Sequence, residues 1–197
     1  MHFLDIPQLY QLWQLPFHRQ KVKPITELNQ LSQIHSLVEL GCGPASNRAY
    51  FPSLSRYWGI DLNPAFIRYA QKHFSGEFVV GNVTDISISW PENVDAVLVN
   101  SFFHHLNDSE LDLVCRRISK TLAPTGVFHL LDLLLPEKHC WGRKLAQLDR
   151  GQFARKAEDW KAILSAHFEV DLFYPFKIEA CKTPLWHMFY LRGTCKP

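Results

Sequence analysis

The run Val38-Glu39-Leu40-Gly41-Cys42-Gly43-Pro44-Ala45 decides the fold. A short apolar stretch, Ser36 to Leu40, stops at Gly41, and a helix is predicted over Ala45 to Ser55 with Pro52 near its end. Glycine tolerates positive φ and lets a ligand approach the backbone closely. A helix N-terminus offers N–H groups that have no partner within the helix. A strand, a glycine turn and a helix in that order make a site for a polar ligand.

Working outward, the chain alternates strand and helix. Arg56 to Asp61 reads as a second strand. Asn63 caps the next helix, with Pro64 at its first position, where a missing N–H costs nothing. Ile67, Ala70 and Phe74 fall on one face of that helix. Glu77 to Val80 is a third strand, and Val94 to Asn100 is a fourth, apolar enough to be covered on both faces. Asn107 and Glu110 have capping-box spacing. They open a helix whose stripe is Leu111, Val114, Cys115, Ile118 and Leu122, ended by Pro124 and Gly126. Val127 to Leu135 is a fifth strand, and Ala157 to Ala166 a further helix. Two apolar runs, Phe168 to Ile178 and Leu185 to Leu191, follow with no helix between them, so they pair as an antiparallel hairpin at the sheet edge. The expected fold is α/β, a parallel sheet with right-handed crossovers, helices on both faces and a C-terminal antiparallel hairpin.

A length of 197 residues suits one domain spanning 1–197. It divides into an N-terminal helical lid (1–33), a binding core (34–135), a cover segment (136–156) and a C-terminal helix with edge hairpin (157–197). A net charge of +2 is too small to indicate nucleic-acid binding by itself. The five cysteines include no CxxC pair, so neither a disulfide framework nor a zinc site is expected, and no metal is predicted. Reduced thiols, no basic leader and no apolar stretch of about 20 residues predict a cytoplasmic protein without a membrane span.

Asp61 lies twenty residues beyond Gly41, at the end of the second strand. A carboxylate there can accept hydrogen bonds from ribose hydroxyls. The dinucleotide version of this pattern fails in detail. Ser46 stands where a third glycine is needed, and Glu39 would face a pyrophosphate with like charge. Glu39 suits a ligand with a cationic amino group instead.

Four stretches in order resemble the class I (Rossmann-like) S-adenosylmethionine-dependent methyltransferase family. They are Glu39 to Gly43, Gly59 to Pro64, Gly81 to Asp85, and Val97 to Leu106. The resemblance covers roughly Leu37 to Leu135 and implies S-adenosylmethionine as cofactor. It also implies roles. Glu39, Gly41, Cys42 and Gly43 would hold the methionine portion, Asp61 the ribose, and Leu62 would pack against adenine. Asn82 would meet the adenine amino group, with the Val83 N–H nearby, and the Asn100 backbone would accept from the ammonium. Two positions depart from the family pattern. Ala45 replaces a frequent third glycine, a mild change if the position is unstrained. Asn82 replaces a frequent aspartate, and either Asn82 or Asp85 can meet adenine.

Tyr10, Trp13 and Phe17 lie at helical spacing. They either pack internally or form a lid from which Tyr10 or Arg19 reaches the methionine carboxylate. Lys21 and Lys23 read as solvated charges. His105, and after it His104, are the candidate bases for an acceptor that must lose a proton, placed after the fourth strand where ligands bind in such sheets. Each has a bland alternative in packing or structural hydrogen bonding. Trp141, Arg143, Phe153 and Trp160 belong either to a substrate cover or to surface packing. Aromatic walls suit a small, partly apolar substrate. Asn100-Ser101-Phe102-Phe103 lacks the tetrapeptide of the amino-methylating nucleic-acid enzymes. The expected acceptor is therefore a small molecule receiving the methyl group at oxygen. Alternatives are a nucleic-acid methyltransferase, a non-catalytic cofactor-binding module and, less compatible with Ser46 and Glu39, a nicotinamide dehydrogenase.

Overall fold

A computed structural model of the chain describes residues 7–136, 151–180 and 183–196, with side chains from Phe17 onward. The order of elements is α1 (Pro7–Glu27), β1 (Ser36–Leu40), β2 (Arg56–Asp61), α2 (Pro64–His73), β3 (Glu77–Val80), β4 (Val94–Asn100), α3 (Asp108–Thr121), β5 (Leu122–Leu133), α4 (Ala157–His167), β6 (Phe168–Ala180) and β7 (Thr183–Cys195). Short 3₁₀ turns cover Leu31–Gln33, Ser46–Tyr50 and Phe103–His105.

The seven strands run β3-β2-β1-β4-β5-β7-β6 across a single sheet. Neighbours from β3 to β5 are parallel. Strand β7 pairs antiparallel with both β5 and β6. The order reverses beside β1, and there β1 and β4 leave a crevice outside their carboxyl ends, the place where open α/β sheets bind ligands. The sheet is covered on both faces. Helices α3 and α4 bury Leu111, Val114, Ile118, Trp160 and Leu164 against one face. Helices α1 and α2 bury Val22, Ile25, Ile67 and Ala70 against the other.

Local sequence sets the helix starts as predicted. The Asn63 side chain accepts from the Ala65 N–H with Pro64 in the first turn. Asn107 and Glu110 form the reciprocal capping box. The segment after the glycine loop differs from expectation, since Ser46–Tyr50 is only a 3₁₀ turn. Pro52 disfavours helical geometry at Phe51, which adopts φ −113° and ψ 86°. Ala45 also differs. It is fully buried at φ 59°, in the left-handed region, so it is strained rather than unstrained. A side chain there costs about 1–2 kcal/mol, which the surrounding packing must offset.

Strand β5 begins directly after α3 rather than at Val127. Its partner on β4 shifts from Val94 (opposite Leu122) to Ala96 (opposite Val127), so residues 123–126 bulge out. A Cβ on Gly126 would lie 2.8 Å from the Val94 carbonyl oxygen, which is why glycine closes the bulge. Trp160 is fully buried, and its indole N–H donates to the Leu133 carbonyl. It belongs to the core, so its assignment to an external cover is corrected. Trp141 and Arg143 lie outside the described residues. Among the described residues no helix is long and apolar enough to cross a membrane.

Candidate active site

The glycine loop leaves β1 with two left-handed backbone positions. Gly41 and Gly43 have φ of 67° and 54°. A Cβ on Gly41 would stand 2.8 Å from the Phe102 ring, so Gly41 makes room for a side chain arriving from β4. A Cβ on Gly43 would meet nothing nearer than 4.0 Å, so its outer face is open to a ligand. Cys42 is buried and packs its sulfur over Gly59, leaving only its backbone for binding.

Asp61 ties this loop to β2. One carboxylate oxygen accepts from the Gly43 N–H at 2.9 Å and the other from the Asn63 N–H at 2.8 Å. Burial raises the Asp61 pKa, and the two backbone donors oppose that rise. Each oxygen keeps a lone pair for a hydroxyl. Next to it, Leu62 is 64% exposed, so its apolar side chain is free to pack against a flat ligand.

The loop carrying Asn82 lies on the same side of the sheet. The Asn82 Oδ1 accepts from the Thr84 N–H, and Asp85 is turned toward Ser87, which donates to it from both backbone and hydroxyl. Those donors hold the Asp85 carboxyl below its usual range. Val83 is buried. Arg117, from α3, fastens the whole loop. It donates to the carbonyls of Val83 at 2.7 Å and Asp85 at 2.9 Å and to that of Ile88, and lies 3.8 Å over the Trp90 ring. Nothing in the local sequence marks Arg117, because its partners are about thirty residues away. Replacing Arg117 by methionine keeps the stem and removes the donors. It should weaken binding of an adenosine ligand about tenfold, roughly one charged hydrogen bond's net worth, as read by calorimetry.

Glu39 is fully buried and does not line the cavity at the loop. The Tyr57 hydroxyl donates to it at 2.5 Å and the Asn47 amide at 2.6 Å. Asn47 in turn accepts from the Asn100 amide at 3.1 Å. Asn47 and Asn100 do line the cavity, with Gly41 to Pro44, Ser46, His18 and Lys21. Glu39 therefore reaches the cavity only by way of Asn47, which the sequence did not mark. Lys21 is brought to the cavity rather than left in solvent, which corrects its expected placement, whereas Lys23 is exposed and pairs with Glu27 at 3.8 Å. Tyr10 and Trp13 have no described side chains. Phe17 packs edge-on against Trp186 at 5.3 Å, so it anchors α1 to the sheet. Arg19 is exposed, and His18 and Lys21 are the α1 residues beside the loop.

The two histidines after β4 part company in the 3₁₀ turn. His104 is buried, its Nδ1 donating to Asp132 at 2.5 Å. Gly151 lies flat on the His104 ring, where a Cβ would fall 1.8 Å from Cδ2. His105 is exposed and stacks on Phe102 with centroids 6.4 Å apart. Because Phe102 also covers Gly41, His105 stands next to the glycine loop. Among the described residues no group of side chains could hold a metal.

A family model described as a methyltransferase domain matches residues 38–130, the stretch that carries the glycine loop, Asp61, Asn82, Asn100 and both histidines. Over that stretch, just under half of its length, the chain is similar to the methyltransferase domain family. The chain is 26% identical over 170 residues to the human thiol S-methyltransferase TMT1A. That match takes in 78% of this chain and 66% of the human protein, so the chain spans just under two thirds of its relative's length. Its fold is shared by the N-methyltransferase NodS from Bradyrhizobium japonicum in complex with S-adenosylhomocysteine. The TM-score is 0.71 at 17% identity, covering 92% of this chain and 89% of that one. A methyltransferase bound to the Trm112 activator of Haloferax volcanii superposes with a TM-score of 0.75 at 15% identity, covering 95% and 93%. The residues fit the cofactor. The Gly43 face is open, the Leu62 side chain is bare, and Asp61 retains acceptor capacity.

Proposed function

We propose that the protein is an S-adenosylmethionine-dependent methyltransferase that methylates a small, partly apolar molecule at oxygen, with His105 as the general base. When bound, the cofactor supplies an electrophilic methyl group. The protein's share is to orient the acceptor, exclude water and take its proton. The observation that supports this reading is the position of His105. It is the exposed imidazole at the carboxyl end of β4, one aromatic ring away from the glycine loop. Buried His104 and Asp132 fix the turn that presents it. Asp61, Leu62, Asn82 and the Val83 backbone would bind the nucleoside. The Gly41–Gly43 loop and Asn100 would bind the amino-acid part, with His18 and Lys21 beside its carboxylate.

The test is an acceptor screen read by S-adenosylhomocysteine formation, run on wild type and His105→Ala. The variant should lose about 10²-fold in kcat on a phenolic or other hydroxyl acceptor, with cofactor affinity unchanged. An unchanged kcat would remove His105 from the chemistry. The human relative favours a second reading, a thiol acceptor. A free thiol has a pKa of about 8.5 and reaches its nucleophilic form with less help. On thiols the His105→Ala loss should shrink to a few-fold and vanish at high pH.

A further inference from the structure

We propose that Glu39 holds a proton in the free protein and gives it up when an ammonium-bearing ligand docks at Asn47 and Asn100, so that cofactor binding releases a proton. The proposal rests on the reading above that the ligand's amino-acid part lies at this end of the cavity.

The geometry around Glu39 is that of a carboxyl group without a cation. It sits inside the sheet on β1 with no exposed surface. Its two donors, Tyr57 on β2 and Asn47 on the 3₁₀ turn, are neutral groups. Among the described residues no lysine or arginine makes an ion pair with it. A buried carboxylate held only by neutral donors pays most of its desolvation cost uncompensated, and protonation removes that cost. Burial accordingly lifts the Glu39 pKa to about 7, against the pull of Tyr57 and Asn47.

The surrounding titratable groups leave Glu39 as the one that changes charge. On β2, the Tyr57 hydroxyl is raised well above its ordinary value by burial and by Glu39. In the loop, the Cys42 thiol is likewise raised well above its own. Asp61, at the end of β2, raises Glu39 further, and Lys21, on α1, lowers it from a distance. Arg48, on the turn, acts on Tyr57. His18, on α1, is lowered by burial and by Lys21. From β4 the Asn100 amide joins this cluster through Asn47.

Asn47 is the connection to the ligand. One end of its amide donates to Glu39, and the other accepts from Asn100 while both asparagines line the cavity. An ammonium placed there is one amide away from the carboxyl group. Its charge favours the ionised form, the Glu39 O–H bond breaks, and the proton passes to the buffer. No other bond is made or broken. A nucleoside without the amino group leaves Glu39 protonated.

The experiment is calorimetric titration of the full chain with S-adenosylhomocysteine at about pH 6.5 in buffers of different ionisation enthalpy, repeated at about pH 8. 5′-Methylthioadenosine, which lacks the amino-acid part, is the paired probe. Most of one proton should be released on S-adenosylhomocysteine at the lower pH and little at the higher. Methylthioadenosine should release none. Glu39→Gln should abolish the release. Tyr57→Phe removes a donor to the carboxylate, so it should move the release window to higher pH, which keeps the test open if Glu39→Gln folds poorly. Binding of S-adenosylhomocysteine with no buffer dependence overturns the proposal, as does release that persists in Glu39→Gln. If neither nucleoside binds, the cofactor-site reading itself fails. If both bind alike and release nothing, the site stands and the Glu39 proposal falls.

Discussion

Asp132→Ala should cost about 3–5 kcal/mol of folding stability, the range for stripping a buried charge network of one partner. Asp132 is fully buried on β5 and takes three hydrogen bonds. The Phe103 N–H donates at 2.8 Å, the Leu133 N–H at 2.7 Å and His104 Nδ1 at 2.5 Å. Alanine leaves all three donors inside the protein without an acceptor, and each orphan costs about 1–3 kcal/mol. Chemical denaturation should show the loss as a lower midpoint at unchanged slope, and heating as a fall of about 10 °C. Asp132→Asn should fall between, since its carbonyl can serve some donors while its own N–H₂ opposes another. A loss below about 1 kcal/mol in the alanine variant would mean that water serves these donors and that the turn is not pinned from β5. The same variant should lower kcat through His105 without touching cofactor affinity, because Asp132 holds the turn and not the glycine loop.

Asp132 also shows where sequence reading stops. His104 and His105 are neighbours, and nothing local tells a buried hydrogen-bonder from an exposed base. The distinction comes from β4 pairing with β5 in the register Asn100 to Leu131, which sets Asp132 beside the turn. Asn47 was invisible for a similar reason. Its role depends on Glu39 below it and Asn100 beside it, each on a different strand. Lys21 and His18 reach the loop only because α1 packs across the sheet, and α1 has little apolar periodicity to say so. By contrast, the Asn63 and Asn107 caps, the glycine loop and the succession of strands to β5 along the chain rest on contacts within a few residues or on strand alternation. These were readable directly. The C-terminal pair was readable as a pair, but the placement of β7 between β5 and β6 is set by long-range pairing. Ala45 lay between these cases. Its position in the loop was evident, while its left-handed backbone was not.

Asp61→Ala should weaken S-adenosylhomocysteine binding by about 10²–10³-fold. Two hydroxyl donors to one carboxylate contribute about 1.5–3 kcal/mol each, and part of the sum is lost to solvent at this half-buried site. The same carboxylate also accepts from Gly43 and Asn63, so its removal frees two backbone N–H groups and loosens the loop that holds the rest of the ligand. The two contributions separate by measurement. Loss of the loop ties alone should lower the unfolding midpoint slightly and weaken S-adenosylhomocysteine and a ribose-free methionine fragment in equal proportion. Loss of the ribose contacts should fall on adenosine and S-adenosylhomocysteine and spare the fragment. Asp61→Asn preserves the size of the side chain, but its amide turns an N–H₂ toward either Gly43 or Asn63, so it should bind more weakly than wild type and more tightly than the alanine variant. If Asp61→Ala keeps the wild-type affinity, Asp61 is only the residue that ends β2 and braces the glycine turn, and the ribose must be held from the Leu62 side of the crevice.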